Sequence, residues 1–223
     1  MTGPILLGAL AGLGWGFAAD RIAARWPAHD DRAARAVDWR TLAVVAVGGL
    51  AVALLAARFG ETTDASGLGA RLVMVVIVPA LVLLFATDLD QRLLPDVLTL
   101  PIGPIALLAF AAGVNPYVRQ PDQLAIAAGA AIALPLGMFL LSIPFGRGAI
   151  GIGDLKLLFG IGLLSGAWRL LAALIVGAVV AAAVIVVLLA GRRITLRSYV
   201  PYGPFLILGV MWILLVLPLD APM

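Results

Sequence analysis

Residues 71–96 read RLVMVVIVPALVLLFATDLDQRLLPD. No charged side chain interrupts Leu72 to Ala86, and then Asp88, Asp90 and Asp96 follow within nine residues. A helix crosses the apolar core of a bilayer in about 20 residues. The run from Arg71 to Asp88 is therefore read as a membrane helix that ends in a cluster of acids. Seven further segments approach the same length: 3–19, 40–58, 96–114, 123–145, 154–167, 169–190 and 201–219. The sixth in chain order, 154–167, is short, which predicts a tilted helix or one buried among the others with its end in a water-accessible cavity. The expected fold is all-α: a polytopic transmembrane helix bundle of about eight membrane helices.

Composition agrees. Of 223 residues, 63% are hydrophobic and 12% charged, about half the charged fraction of an ordinary soluble domain. So much apolar surface has to face lipid. The stretch Gly3 to Ala19 has no basic residue before it, and Asp20-Arg21 follow, so it reads as a first membrane helix and not as a cleavable signal. The longest gap, residues 20–39, has no room for a soluble domain. The chain divides into N-terminal membrane helices with a basic loop (1–68) and a second membrane unit (69–223).

The net charge is +3, and its placement says more than its sign. With the N-terminus outside, the inner loops hold Arg21, Arg25, Arg32, Arg35 and Arg40, then Arg92, then Arg147 and Lys156, then Arg192, Arg193 and Arg197. Arg58, Arg71, Arg119 and Arg169 remain outside. This is the positive-inside pattern. It accounts for the basic balance through the bilayer and calls for no nucleic-acid partner. Trp39, Tyr117, Trp168, Tyr199 and Tyr202, near predicted ends, fit interfacial anchors.

There is no cysteine, and His29 is the only histidine. Disulfides, thiolate or histidine metal sites and cysteine nucleophiles are excluded. What remains is carboxylate chemistry. The second informative stretch is Gly151-Ile152-Gly153-Asp154-Leu155-Lys156-Leu157, after a glycine-rich loop from Phe145 to Ile150. In the predicted topology the third segment runs inward to Asp88, and the sixth starts from that same side at Asp154. Two carboxylates brought together in a partly dry site share a proton. Such a pair supports general acid–base hydrolysis of an amide. Glu61, Asp64, Asp122 and Asp220 fall on the other side, and Asp20, Asp30, Asp31 and Asp38 in the first inner loop. Gly151 and Gly153 suggest a notch that admits extended backbone. Simpler roles exist: Asp154 at a helix start satisfies free N–H groups, Asp96 after Pro95 caps a helix, and Lys156 adds inner-face charge. Paired intramembrane acids also serve proton relays, so a small transporter or assembly scaffold is a further reading.

Asp88-Leu89 followed by Leu94-Pro95-Asp96, and then Gly151-Ile152-Gly153-Asp154-Leu155-Lys156-Leu157, resemble the two signature motifs of type IV prepilin peptidases, of the GxGD class of intramembrane aspartyl proteases. The segment Val200-Pro201-Tyr202-Gly203-Pro204-Phe205 is similar to the stretch that opens their last helix. The resemblance covers roughly residues 70–215. It implies a membrane-embedded aspartic endopeptidase in the inner (plasma) membrane. Such an enzyme removes the basic leader of prepilin or pseudopilin precursors at the cytoplasmic face. It implies Asp88 and Asp154 as catalytic, with Asp88 chosen over Asp90 by its spacing to Asp96. It implies supporting or substrate-binding roles for Asp96, Lys156, Gly151 and Gly153, and no cofactor for the cleavage. A presenilin-like protease shares the Gly-x-Gly-Asp element, but lacks the Asp88 to Asp96 pattern. Many members carry a cytoplasmic insert with two Cys-x-x-Cys pairs, which residues 20–39 do not supply. This is a short form, and methylation of the new N-terminus is not part of the reading.

Overall fold

The computed structural model describes residues 2–27, 35–60, 64–145, 151–193, 195 and 202–219. The loop 146–150 with Arg147, and His29, Asp30, Asp31, Arg32, Glu61, Arg197, Tyr199, Val200, Pro201 and Asp220, lie outside the described residues. Those described form helices and turns with no strand. In order they are α1 (Thr2–Ala23), α2 (Trp39–Phe59), α3 (Ala65–Gln91), α4 (Asp96–Thr99), α5 (Ile102–Ala111), α6 (Pro121–Ser142), α7 (Ile152–Ser165), α8 (Ala167–Ala190) and α9 (Gly203–Leu215). Of these, α1, α2, α3, α6 and α8 are long and apolar enough to cross a membrane. The protein is a multi-pass, all-α membrane bundle.

The eight expected segments are present, with one divided. The fourth is interrupted at Leu100–Pro101 into α4 and α5. Pro101 has no N–H to bond the carbonyl one turn back, so the ladder breaks there. The sixth, α7, is buried among its neighbours: Leu157, Leu158, Ile161 and Leu164 are inaccessible. It packs on α4, α5, α6, α8 and α9. The other central helix is α3, with 61% of its most apolar window buried, against 17–33% for the other four long helices. Leu81, Val82 and Leu84 of α3 join α7 and Leu206, Ile207 and Val210 of α9 in one core. Around it, Leu6 and Leu10 of α1, Leu50 of α2, Leu141 of α6 and Val179 and Val187 of α8 point outward. Large apolar side chains on that surface are what a lipid solvent permits.

Lipid tails give helices no hydrophobic reason to associate, so close packing has to do it. On α1, Gly8, Gly12 and Gly16 stand one turn apart and face α2. A Cβ on Gly12 would lie 2.3 Å from the carbonyl oxygen of Gly48, and one on Gly48 would lie 2.6 Å from that of Gly12. The hairpin so formed packs along α3, where the Trp15 indole donates to the Pro79 carbonyl at 3.0 Å.

Charge settles both ends. At one end, Arg58 donates to the carbonyl of Leu215 at 3.1 Å and Arg169 to that of Ile213 at 3.1 Å, so two cations neutralise the C-terminus of α9. Tyr117 is not an interfacial anchor: it is 2% exposed, lies under the Arg169 guanidinium, and donates to Leu214 O at 2.6 Å. A buried phenol needs such a partner. Trp39 and Trp168 are exposed at helix ends as an interface requires.

Replacing Gly48 by Leu should open the α1–α2 contact and cost about 1–3 kcal/mol, as overpacking generally does. Denaturant titration in detergent micelles checks it. Gly14→Leu, where a Cβ meets nothing within 4 Å, is expected to leave stability unchanged.

Candidate active site

The end of the bundle opposite Arg169 gathers the C-termini of α1 and α3 with the N-termini of α2, α4, α7 and α9. Asp88 stands in the last turn of α3. Its carbonyl accepts from the N–H of Arg92 at 2.9 Å, and Arg92 closes the helix in the left-handed region at φ 56°. The chain then extends through Leu93–Pro95 into α4. Asp154 stands in the first turn of α7, begun by Gly151.

Asp88 is 6% exposed. Its carboxylate faces Gly203, the first residue of α9. A Cβ there would lie 2.2 Å from Asp88 Oδ2, so only glycine lets α9 start against this acid. Asp88 Oδ2 is buried and has no hydrogen-bond partner among the described residues. A buried carboxylate oxygen without a donor is costly, and such groups mark functional sites. Asp154 is close enough to Asp88 to act on it electrostatically, and Tyr202, just before α9, feels the Asp154 charge. The Tyr202 hydroxyl donates to Leu174 O of α8 at 3.1 Å.

Asp154 stands three residues after the N-cap Gly151, and its carboxylate accepts from the Gly151 backbone N–H, the capping contact its place at the helix start allows. The two glycines of the motif differ. A Cβ on Gly153 would lie 2.7 Å from Leu94 Cβ, so its missing side chain is filled by the segment that leaves α3. Gly151 is exposed, and a Cβ there would lie 3.1 Å from Asp154 Oδ2. Gly153 brings the two motifs together, and Gly151 leaves room beside the acid.

The other motif residues are spoken for. Asp96 does not cap α4, whose N-cap is Pro95. Both its oxygens lie 2.7 Å from Lys156 Nζ. This pair ties α4 to α7 on the side of α7 turned from Asp154. Asp90 is held by Arg40 Nη1 at 2.8 Å and lies 2.9 Å from Arg35 Nε. Geometry thus separates Asp88, buried beside another acid, from Asp90, neutralised by two arginines. Gly203, Arg35 and Arg40 were not singled out in sequence. The only hint for Gly203 was its place in the Pro-Tyr-Gly-Pro segment, and the arginines were visible only as loop charge. Among the described residues no cluster of carboxylates or histidines suits a metal ion.

The model of the type IV leader peptidase family matches residues 75–187, which includes both acids. A prepilin leader peptidase/N-methyltransferase of Pseudomonas putida is 31% identical over 164 residues, covering 71% of this chain and 54% of that protein. One from Pseudomonas aeruginosa is 30% identical over 162 residues, covering 70% and 53%. The chain therefore spans about half the length of the curated relatives it matches. No solved structure matches it.

The Asp96–Lys156 pair is open to solvent, so Lys156→Met should change stability by less than about 1 kcal/mol. Gly203→Ala should lower the unfolding temperature clearly more, because its methyl displaces Asp88 or α9. Thermal unfolding of the two variants in the same detergent compares them.

Proposed function

We propose a specific reaction from one premise: the chain belongs to the type IV leader peptidase family. It is an aspartic endopeptidase of the inner membrane that removes the basic leader from prepilins or pseudopilins, with Asp88 and Asp154 as its dyad. The observation that carries the reading is the buried Asp88 carboxylate beside Asp154, with one oxygen that no described donor reaches.

The chemistry follows from the pair. Like charges at close range favour a state with one proton between them. The ionised acid takes a proton from water as that water attacks the scissile carbonyl. The protonated acid donates to the carbonyl oxygen. In the second step a proton passes to the leaving amine, and the C–N bond breaks. Water is consumed, and no cofactor enters.

Depth and side argue for a cut next to an apolar helix and not within it. Asp88 is three residues from the end of α3, and Asp154 is in the first turn of α7. Both stand at the end of the bundle that carries Arg21, Arg35, Arg40, Arg92 and Lys156. The positive-inside pattern makes this the cytoplasmic face and puts the N-terminus outside. A presenilin-like protease, which cuts inside helices, calls for acids nearer the bilayer centre.

The test uses the full chain in nanodiscs with a precursor that has a basic leader followed by an apolar helix. Mass spectrometry is expected to find the leader released. Asp88→Asn and Asp154→Asn should each lower the rate by about 10²–10⁴-fold, the usual contribution of a general acid or base. Full cleavage by either variant would remove that residue from the dyad.

A further inference from the structure

Asp88 and Asp90 are two residues apart in one helix. At 3.6 residues per turn their side chains leave α3 about 200° apart, on opposite faces. Asp88 looks toward α7 and α9. Asp90 looks toward the α1–α2 hairpin and is only 4% exposed there. The rotation of this last turn thus decides which acid faces which way. A quarter turn would withdraw Asp88 from Asp154.

The hairpin grips the Asp90 face of that turn. Arg40, in the first turn of α2, donates to Asp90 Oδ1 at 2.8 Å. Arg35, just before α2, has Nε 2.9 Å from the same oxygen. Arg35 is itself fixed: its Nη2 lies 2.5 Å from Asp20 Oδ1 of α1, and its Nη1 pairs with Asp38. Asp20 is 1% exposed and also holds Arg21 and the Thr41 hydroxyl, the latter at 2.9 Å. Gln91, the next residue of α3, donates to the carbonyls of Ala23 at 2.5 Å and Trp26 at 3.1 Å.

We propose that Arg35 and Arg40 are positioning residues for the dyad: by clamping Asp90 they fix the roll of the last turn of α3, so that Asp88 meets Asp154. The clamp also keeps a third carboxylate electrically quiet beside the site. The charged and titratable groups concerned are Arg35, Arg40, Arg21, Asp20 and Asp38 on the Asp90 side, and Asp154, Tyr202 and Arg92 on the Asp88 side. This inference rests on the proposed reading of Asp88 and Asp154.

The test measures leader cleavage by the full chain across pH for Arg35→Met/Arg40→Met, Asp90→Asn and Arg35→Lys/Arg40→Lys. The double Met variant should lose about 10–100-fold in kcat, as expected for a displacement of about an ångström, with KM within about twofold. Its acid limb should move to higher pH, because the uncompensated Asp90 charge opposes ionisation of the dyad. Asp90→Asn should lower kcat and move that limb to lower pH, because it leaves the Arg35 and Arg40 charges uncompensated beside the dyad. The double Lys variant keeps both cations and should recover most of kcat, which also covers the case of a double Met protein that does not fold. Arg58→Met, at the far end, is the control for general loosening and should move neither the limb nor kcat. Wild-type kcat and pH profile in both the double Met and the Asn variant would overturn the clamp, as would a double Lys variant as slow as the Asn one. If Asp88→Asn also cleaves at the wild-type rate, the dyad itself is at fault; if it is inactive while the clamp variants run normally, only the clamp fails.

Discussion

A carboxylate is costly wherever neither water nor a cation can reach it, and this constraint orders the acid-rich end of the bundle. Asp20, Asp38 and Asp90 are bound to arginines, Asp96 to a lysine. Asp64, at the other end, accepts a backbone N–H at the start of α3. Asp88 differs. It is buried, it faces a glycine, its strongest charged neighbour is another acid, and no donor among the described residues meets its Oδ2. Stability alone gives no reason to keep a group in that state. The proposed dyad, with a shared proton and an activated water, would supply one.

Bringing the acids together takes backbone approach more than side-chain contact. α7 and α9 are short and central, and glycines let them close on their neighbours. Gly203 admits the Asp88 carboxylate, and Gly153 admits Leu94, so each motif is docked where the other passes. The same device holds α1 to α2 through Gly12 and Gly48. The hairpin in turn reaches Asp90 and Gln91 through polar contacts. Packing in the membrane and charge pairing at its surface therefore act on one object, the last turn of α3.

The Asp96–Lys156 pair shows how the motif positions divide. Both residues lie in the stretch that the family model matches, and they meet each other on the solvent-exposed side of α7. Their proximity links the segment after α3 to the start of α7, which keeps the two acid-bearing elements in register. The structure gives that contact a mechanical meaning, and the proposed chemistry does not call on it.

Much of this was legible in the residues themselves. Long uncharged runs specify membrane helices because backbone polar groups in lipid have to be satisfied within the segment. The motifs around Asp88 and Asp154 stood out as the candidate site because charge at membrane depth is rarely idle. The choice between Asp88 and Asp90 rested on motif spacing alone, and their environments had to come from the fold: two residues on one helix face opposite ways, and only the packed neighbours show which face meets an acid and which meets arginines. The burial of Tyr117, the break at Pro101 and the fit of Gly203 were hidden likewise. Composition and periodicity report what a segment prefers as solvent. Which side chain lies against which, across tens or a hundred residues of chain, is decided when the helices pack.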